Sequence, residues 1–226
     1  MAKIPYRSMV GSLMYVALCT RPDQSMAVSA FSRYCQNPQP EHWEAGKRVL
    51  RYLKGSAGEG LSYSSGEDVA VSGYSDASYG SDEESKRWRS GYVFMSAGAA
   101  VSWGSILQDV VALSNTEAEY MAISHALQEG LYLRMLRVEI GVEPDMCGTL
   151  LLFDNQSAIK LSKNPVFHKR SKHIAIRFHF IRERVEREEC CLEFVRTIAM
   201  AADHLTKHVG VKILEIGKAH MGMTRG

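Results

Sequence analysis

With 226 residues, 46% of them hydrophobic and 23% charged, the chain can bury one good core and an appended subdomain. Its net charge of +2 says nothing about partners by itself, so the distribution of charge has to. Five cysteines (Cys19, Cys35, Cys147, Cys190, Cys191) are odd in number and follow no metal-finger spacing, which argues against a disulfide scaffold or a zinc finger and for reduced thiols in a cytosolic or nuclear compartment.

The opening segment predicts three short helices, Tyr6–Cys19, Asp23–Tyr34 behind Pro22, and Glu41–Leu53, with apolar residues spaced three and four apart. The first is apolar enough to imitate a leader peptide, but Gly11 and Ser12 interrupt it and a turn at Arg21-Pro22-Asp23 follows, so it reads as a buried helix. No stretch approaches the ~20 apolar residues of a membrane span, and no membrane partner is expected. Residues 1–56 carry eight lysines and arginines against Asp23, Glu41 and Glu44. Glycine and serine then break the pattern, and 57–68 reads as a linker.

Beyond it the periodicity changes to strands at Val69–Ser75, Gly91–Ser96 and Ala99–Ser105, the last two joined by a tight Ala97-Gly98 turn. A long helix is predicted over Asn115–Glu139, opened by a Ser/Asn/Thr cap with acids in its first turn. Thr149–Phe153 is too apolar to face solvent and should lie central and parallel to the first strand, since a helix crossover precedes it. A short helix Gln156–Ser162, a loop at Asn164-Pro165, a helix Ile174–Arg187, a strand Cys190–Val195 and a final helix opening near Ala201 complete the order.

Four carboxylates fall where a strand ends or a helix begins: Asp76, Glu119, Asp154 and Asp203. Hard oxygen ligands on separate elements, with no Cys or His at ligand spacing, suit Mg²⁺ or Mn²⁺ and not zinc. A pair of such ions can clamp the attacking and leaving oxygens of an in-line phosphoryl displacement. Glu117 sits in the first turn of its helix and is explained by capping, which favours Glu119 as the ligand. A basic run, Lys169-Arg170-Ser171-Lys172 with His173, lies downstream of Asp154 and is the natural phosphate-backbone contact. Arg87 and Arg89, flanking Trp88, form a second candidate surface. The later charges, Arg182 to Glu189, read rather as the solvated, salt-bridged face of a helix.

The order of elements and acids resembles the ribonuclease H fold, an α/β architecture with a mixed five-stranded sheet flanked by helices, here preceded by a small helical subdomain. The motifs resemble something narrower. Tyr6-Arg7-Ser8-Met9-Val10-Gly11-Ser12-Leu13-Met14-Tyr15, Arg48-Val49-Leu50-Arg51-Tyr52-Leu53-Lys54-Gly55, Ser90-Gly91-Tyr92-Val93-Phe94, Thr116-Glu117-Ala118-Glu119-Tyr120, Asp154-Asn155-Gln156-Ser157-Ala158 and Ala202-Asp203-His204-Leu205-Thr206-Lys207 are similar to the carboxy-terminal part of copia-type LTR retrotransposon polyproteins. The resemblance implies that residues 1–56 are the thumb-like helical tail of a reverse transcriptase, that 69–209 are an RNase H domain cleaving RNA in RNA/DNA hybrids, and that 210–226 are a tail. It also implies an upstream polymerase as partner and an intracellular location, in a virus-like particle where the element is active.

In the mechanism so implied Asp76 is shared by two ions, Glu119 and Asp154 complete the shell of one, and Asp203 holds the other. Ser78, Asn155 and Gln156 are candidates to read the ribose 2′-OH, the group that separates RNA from DNA, although each could instead cap a turn. The histidine that cellular enzymes of this fold often carry before the last acid is missing between Val195 and Ala202, and His204 does not replace it. The polymerase motif Tyr-x-Asp-Asp does not occur, so no DNA synthesis is expected of these residues. Arg87-Trp88-Arg89 stands where the family usually has Lys-Ser-Thr, Ala175 where Asp is common, and His208 where Pro is frequent. These departures open a second reading, a catalytically silent remnant that at most binds nucleic acid.

Overall fold

The computed structural model describes residues 4–66, 69–78, 85–142, 148–156, 159 and 175–226. Three helices come first: α1 (Tyr6–Cys19), α2 (Ser25–Ser32) and α3 (Pro40–Gly55). Pro40 opens α3 at a position whose N–H would be unpaired anyway, and His42 Nδ1 accepts from the Gln39 N–H at 2.9 Å. The second helix starts later than the sequence predicts, because Pro22–Gln24 form a separate 3₁₀ turn before it. Tyr6, Val10, Leu13, Val28 and Phe31 make a small core of their own between these helices.

The main sheet is built from β2 (Ser72–Ser78), β3 (Arg89–Ser96), β4 (Ala99–Leu107), β5 (Thr149–Phe153) and β6 (Cys190–Phe194) in the order β4-β3-β2-β5-β6, after a short β1 (Glu59–Leu61) that lies outside it. β2, β3 and β4 are antiparallel, whereas β5 runs parallel to β2 and β6 parallel to β5. This is the mixed five-stranded ribonuclease H-like sheet, with β5 central and parallel as its apolar run predicts. Ala97 and Gly98 both adopt positive φ, 51° and 82°, the backbone of the tight hairpin turn whose twist matches the strands.

β2 begins and ends three residues later than its sequence suggests. Ser75, Asp76 and Ser78 are poor strand formers, but pairing with β3 along the whole stretch from Ser72 to Ser78 overrides that preference. Asp76 therefore sits inside the strand, opposite Gly91.

The sheet is covered on both faces. α4 (Asn115–Glu139) and α5 (Ala175–Glu186) pack on one, and Phe94 and Leu151 lie in that core with Phe178 and Ile181. α4 is opened by a reciprocal cap: Ser114 Oγ accepts from the Glu117 N–H at 3.2 Å and Glu117 Oε2 accepts from the Leu113 N–H at 2.9 Å, which commits Glu117 to the helix end. The three-helix unit leans on the opposite face, where Trp103 Nε1 donates to Ala17 O at 2.7 Å and Ser29 Oγ to Ser105 O at 2.9 Å. No helix among the described residues is long and apolar enough to cross a membrane.

Two expectations are corrected. The stretch 57–68 was expected as a linker, yet Glu59–Leu61 is strand β1 and pairs antiparallel with β7 (Met223–Arg225). Nor does a helix open near Ala201. Single 3₁₀ turns occupy Thr197–Ala199 and Asp203–Leu205, and the last helix, α6, runs from Val211 to His220. Ala201, Ala202, Leu205 and Thr206 are all buried, so this stretch is a wedge packed all round and not an amphipathic helix with one wet face. The short helix predicted from Gln156, and Lys169, Arg170, Lys172 and His173, fall largely or wholly outside the described residues.

Candidate metal centre

Three of the four predicted acids meet. Asp76 projects from the middle of β2, Glu119 from the second turn of α4, and Asp154 directly follows β5, so the sheet's central pair and the crossing helix each deliver one carboxylate. One oxygen from each lies within 4.8 Å of the other two. Asp76 and Glu119 are buried and Asp154 is half-buried. Glu119 Oε2 is shut away from solvent with no hydrogen-bond partner among the described residues.

Hydroxyls hold the other two carboxylates. Thr206 Oγ1, on the wedge, donates to Asp76 Oδ2 at 2.5 Å, and Thr197 Oγ1 donates to Asp154 Oδ2 at 2.7 Å. Asp203, in the 3₁₀ turn, pairs with Lys207 four residues on and lies close enough for its charge to act on Asp76. Neither Thr197, Thr206 nor Lys207 was singled out from sequence, although spacing of three and four residues from Asp203 puts the last two on its side of the turn.

The electrostatics follow from burial and mutual repulsion, which outweigh the opposing charge of Lys207. Burial, with Asp203 and Asp154 adding repulsion, outweighs the Thr206 hydrogen bond and pushes the Asp76 carboxyl up to about 6. Burial, together with Asp76 and Asp154, pushes Glu119 up to about 9. Burial pulls the Lys207 ammonium down, but its pairing with Asp203, with Asp76 and Asp154 behind, prevails and raises it. A buried carboxylate with an unpartnered oxygen, beside two more, suits a hard divalent cation with oxygen ligands.

The carboxylates open into a cleft of about 530 Å³ lined by Ala77, Trp88, Asn115, Glu119, Asp154, Asn155, Gln156 and Phe194. Gln156 is exposed at its mouth, Asn155 is half-buried, and Ser78 is half-buried at the end of β2. Asn115 was missed from sequence because it reads as part of the helix cap. The second basic surface is corrected in part. Arg87 is half-buried, but Arg89 is only 2% exposed, donating to Ser29 Oγ at 2.7 Å, and Trp88 is 3% exposed against Ala112, Ala118 and Met121. Arg89 is turned to Ser29 of the three-helix unit, so it is spent in that interface and cannot reach a nucleic acid. His204 is buried with Nε2 3.1 Å from Met221 Sδ, away from the acids.

Over 223 residues, 99% of its length, the chain is 44% identical to the retrovirus-related Pol polyprotein from transposon TNT 1-94 of Nicotiana tabacum, and over 202 residues, 89%, it is 39% identical to that from transposon RE2 of Arabidopsis thaliana. The chain belongs to the copia-type retrotransposon Pol family. It spans 17% and 14% of the length of those two polyproteins. This copia-type segment is also 47% identical, over 133 residues, to the secreted RxLR effector protein 161 of Plasmopara viticola, covering 94% of that protein and 59% of itself. No protein-family model matches it. The structure of the foamy viral protease-reverse transcriptase dRH in complex with ds DNA shares the fold, with a TM-score of 0.55 at 11% identity over 85% of the copia-type chain and 32% of the viral one.

Proposed function

We propose that this copia-type segment is a ribonuclease H that hydrolyses the RNA strand of RNA/DNA hybrids, with residues 1–56 as the helical tail of the polymerase upstream. The observation that carries the reading is the meeting of Asp76, Glu119 and Asp154 in a cleft where Glu119 Oε2 has no hydrogen-bond partner among the described residues. Two Mg²⁺ or Mn²⁺ ions would be held by these three and Asp203, and would supply positive charge opposite the phosphate undergoing displacement.

The chain's own groups do the rest. Thr206 and Thr197 fix the carboxylates of Asp76 and Asp154 in orientation before any ion arrives. Asn155 and Gln156, at the mouth of the cleft, and Ser78, at the end of β2, are the groups offered to the 2′-OH. Lys169, Arg170, Lys172 and His173, with Arg87, supply phosphate contacts and most of the affinity. The apolar residues exposed on α1, Tyr15 and Leu18, are the surface offered to the upstream polymerase.

Labelled RNA/DNA hybrid tests this. The chain should cleave the RNA strand in Mg²⁺ or Mn²⁺, and Asp154→Asn should abolish cleavage while leaving hybrid affinity largely intact, because affinity comes mainly from phosphate contacts. Binding without cleavage by the unaltered chain would instead establish the silent remnant, a reading favoured by one contact, the pairing of Asp203 with Lys207.

A further inference from the structure

The wedge that carries Asp203 and Thr206 has little structure of its own to hold it in place. It contains one 3₁₀ turn, and its position is set from outside. On one side it presses on β3, where Gly91 stands opposite Asp76: a Cβ there would lie 2.6 Å from Thr206 Cγ2 and 3.0 Å from both Ala202 O and Leu205 Cβ. On the other side it meets α2 and the Pro22–Gln24 turn of the three-helix unit.

Hydrogen bonds, linked covalently within Ser105 and across Leu205–Thr206, join the two sides. Arg89 Nη1 donates to Ser29 Oγ of α2 at 2.7 Å, Ser29 Oγ donates to Ser105 O at 2.9 Å, Ser105 Oγ donates to Leu205 O at 2.6 Å, and the next residue, Thr206, donates to Asp76 Oδ2. Arg89 Nη1 also lies 3.2 Å from Ser105 Oγ, so the junction is gripped twice. None of these bonds is local in sequence. The Thr206 hydroxyl also sits 2.9 Å from Asp203 O, which ties the backbone of one acid to the side chain of another.

We propose that the three-helix unit is part of the metal centre, with Ser29 and Ser105 as positioning residues that set Asp76 and Asp203 through the wedge. The inference rests on the metal-dependent reading above. Polymerase tail and nuclease are then not two modules on a string: removing or shifting α2 loosens the site from behind, although no residue of α2 reaches the cleft.

The test uses the full chain and Mn²⁺ itself, followed by calorimetry and by thermal unfolding with and without the ion. Ser105→Ala should lower Mn²⁺ affinity by about tenfold, the usual loss when a supporting hydrogen bond behind a metal ligand is removed. Ser29→Ala, farther back and half-buried, should lower it less, and Ser105→Thr should restore it. In the metal-free chain Ser29→Ala should shift the unfolding temperature only slightly, so that lost ion affinity is not mere loss of fold. Should Ser105→Ala unfold the chain, Ser29→Ala carries the test alone. Variants that melt earlier yet bind Mn²⁺ within about twofold of the unaltered chain would overturn the inference and reduce the contact to interface packing. Absence of Mn²⁺ binding by the unaltered chain would overturn the nuclease reading itself, a separate outcome visible before any substitution.

Discussion

Two clusters of buried charge among the described residues are treated in opposite ways. Where the three-helix unit meets the rest of the chain, Arg21 donates to Asp23 at 2.8 Å and to Ser56 O and Oγ, Tyr52 donates to Asp23 at 2.6 Å, and Lys218 bridges Glu59 and Glu215. Every ion there has an opposite within reach. At the candidate metal centre, Asp76, Glu119 and Asp154 crowd together, and the nearby cation, Lys207, leans towards Asp203. Burial alone therefore says little about function. What separates the self-paired cluster from the candidate metal centre is whether the chain supplies its own counter-charge or leaves that place to something else.

The largest effect should come from breaking the self-sufficient cluster. Asp23→Ala strands Arg21, whose side chain is 6% exposed, and should cost about 3–5 kcal/mol, the loss typical of one partner removed from a buried pair. Equilibrium unfolding in urea reads it directly, and a loss below about 1 kcal/mol would mean that the pair is no better than a surface one.

At the other cluster the effect is set by pH. The Glu119 carboxyl titrates from a reference of 4.5 when exposed and at about 9 when folded, and Asp76 from 3.8 and at about 6. Between each pair of values the folded chain binds more protons than the unfolded one, so metal-free stability falls as pH rises through that window. Glu119→Gln, which keeps the shape of the protonated acid, should flatten the decline above pH 6, and Mg²⁺ should oppose it in the unaltered chain by binding the ionised acids. A metal-free melting temperature that does not fall between pH 6 and 9 would show that the acids are not crowded in solution. The smallest effect is assigned to Arg187→Ala, which removes a 2.6 Å pair with Glu183 exposed on both sides and should change stability by less than about 0.5 kcal/mol in the same titration.

The sheet and its crossing helix were legible because they announce themselves locally: the cap before Asn115, the Ala97-Gly98 turn and the apolar run ending at Phe153 are all short-range signals. So were Glu119 and Asp154, which lie at boundaries that those signals mark, whereas Asp76, expected at the end of its strand, sits inside it. What could not be read were features made by distant partners. Glu59–Leu61 looks like a linker because its strand partner lies more than 150 residues away, and the wedge at 201–206 looks like a helix start because burial on all sides, not periodicity, fixes it. Arg89 is the sharpest case. As sequence it is one more cation near a nucleic-acid site, and only the register of β3 turns it inward to Ser29.

The pairing of β1 with β7 has a consequence in time. During synthesis the three helices are made before the sheet, and they can close their small core early. The strand that follows them must wait, unpaired and with a row of open hydrogen-bonding groups, until Met223–Arg225 has been made. Because contacts so far apart in sequence form late and slowly, this pairing closes only after every strand of the main sheet has been made, and a ribosome that stalls before that point leaves a sticky edge exposed.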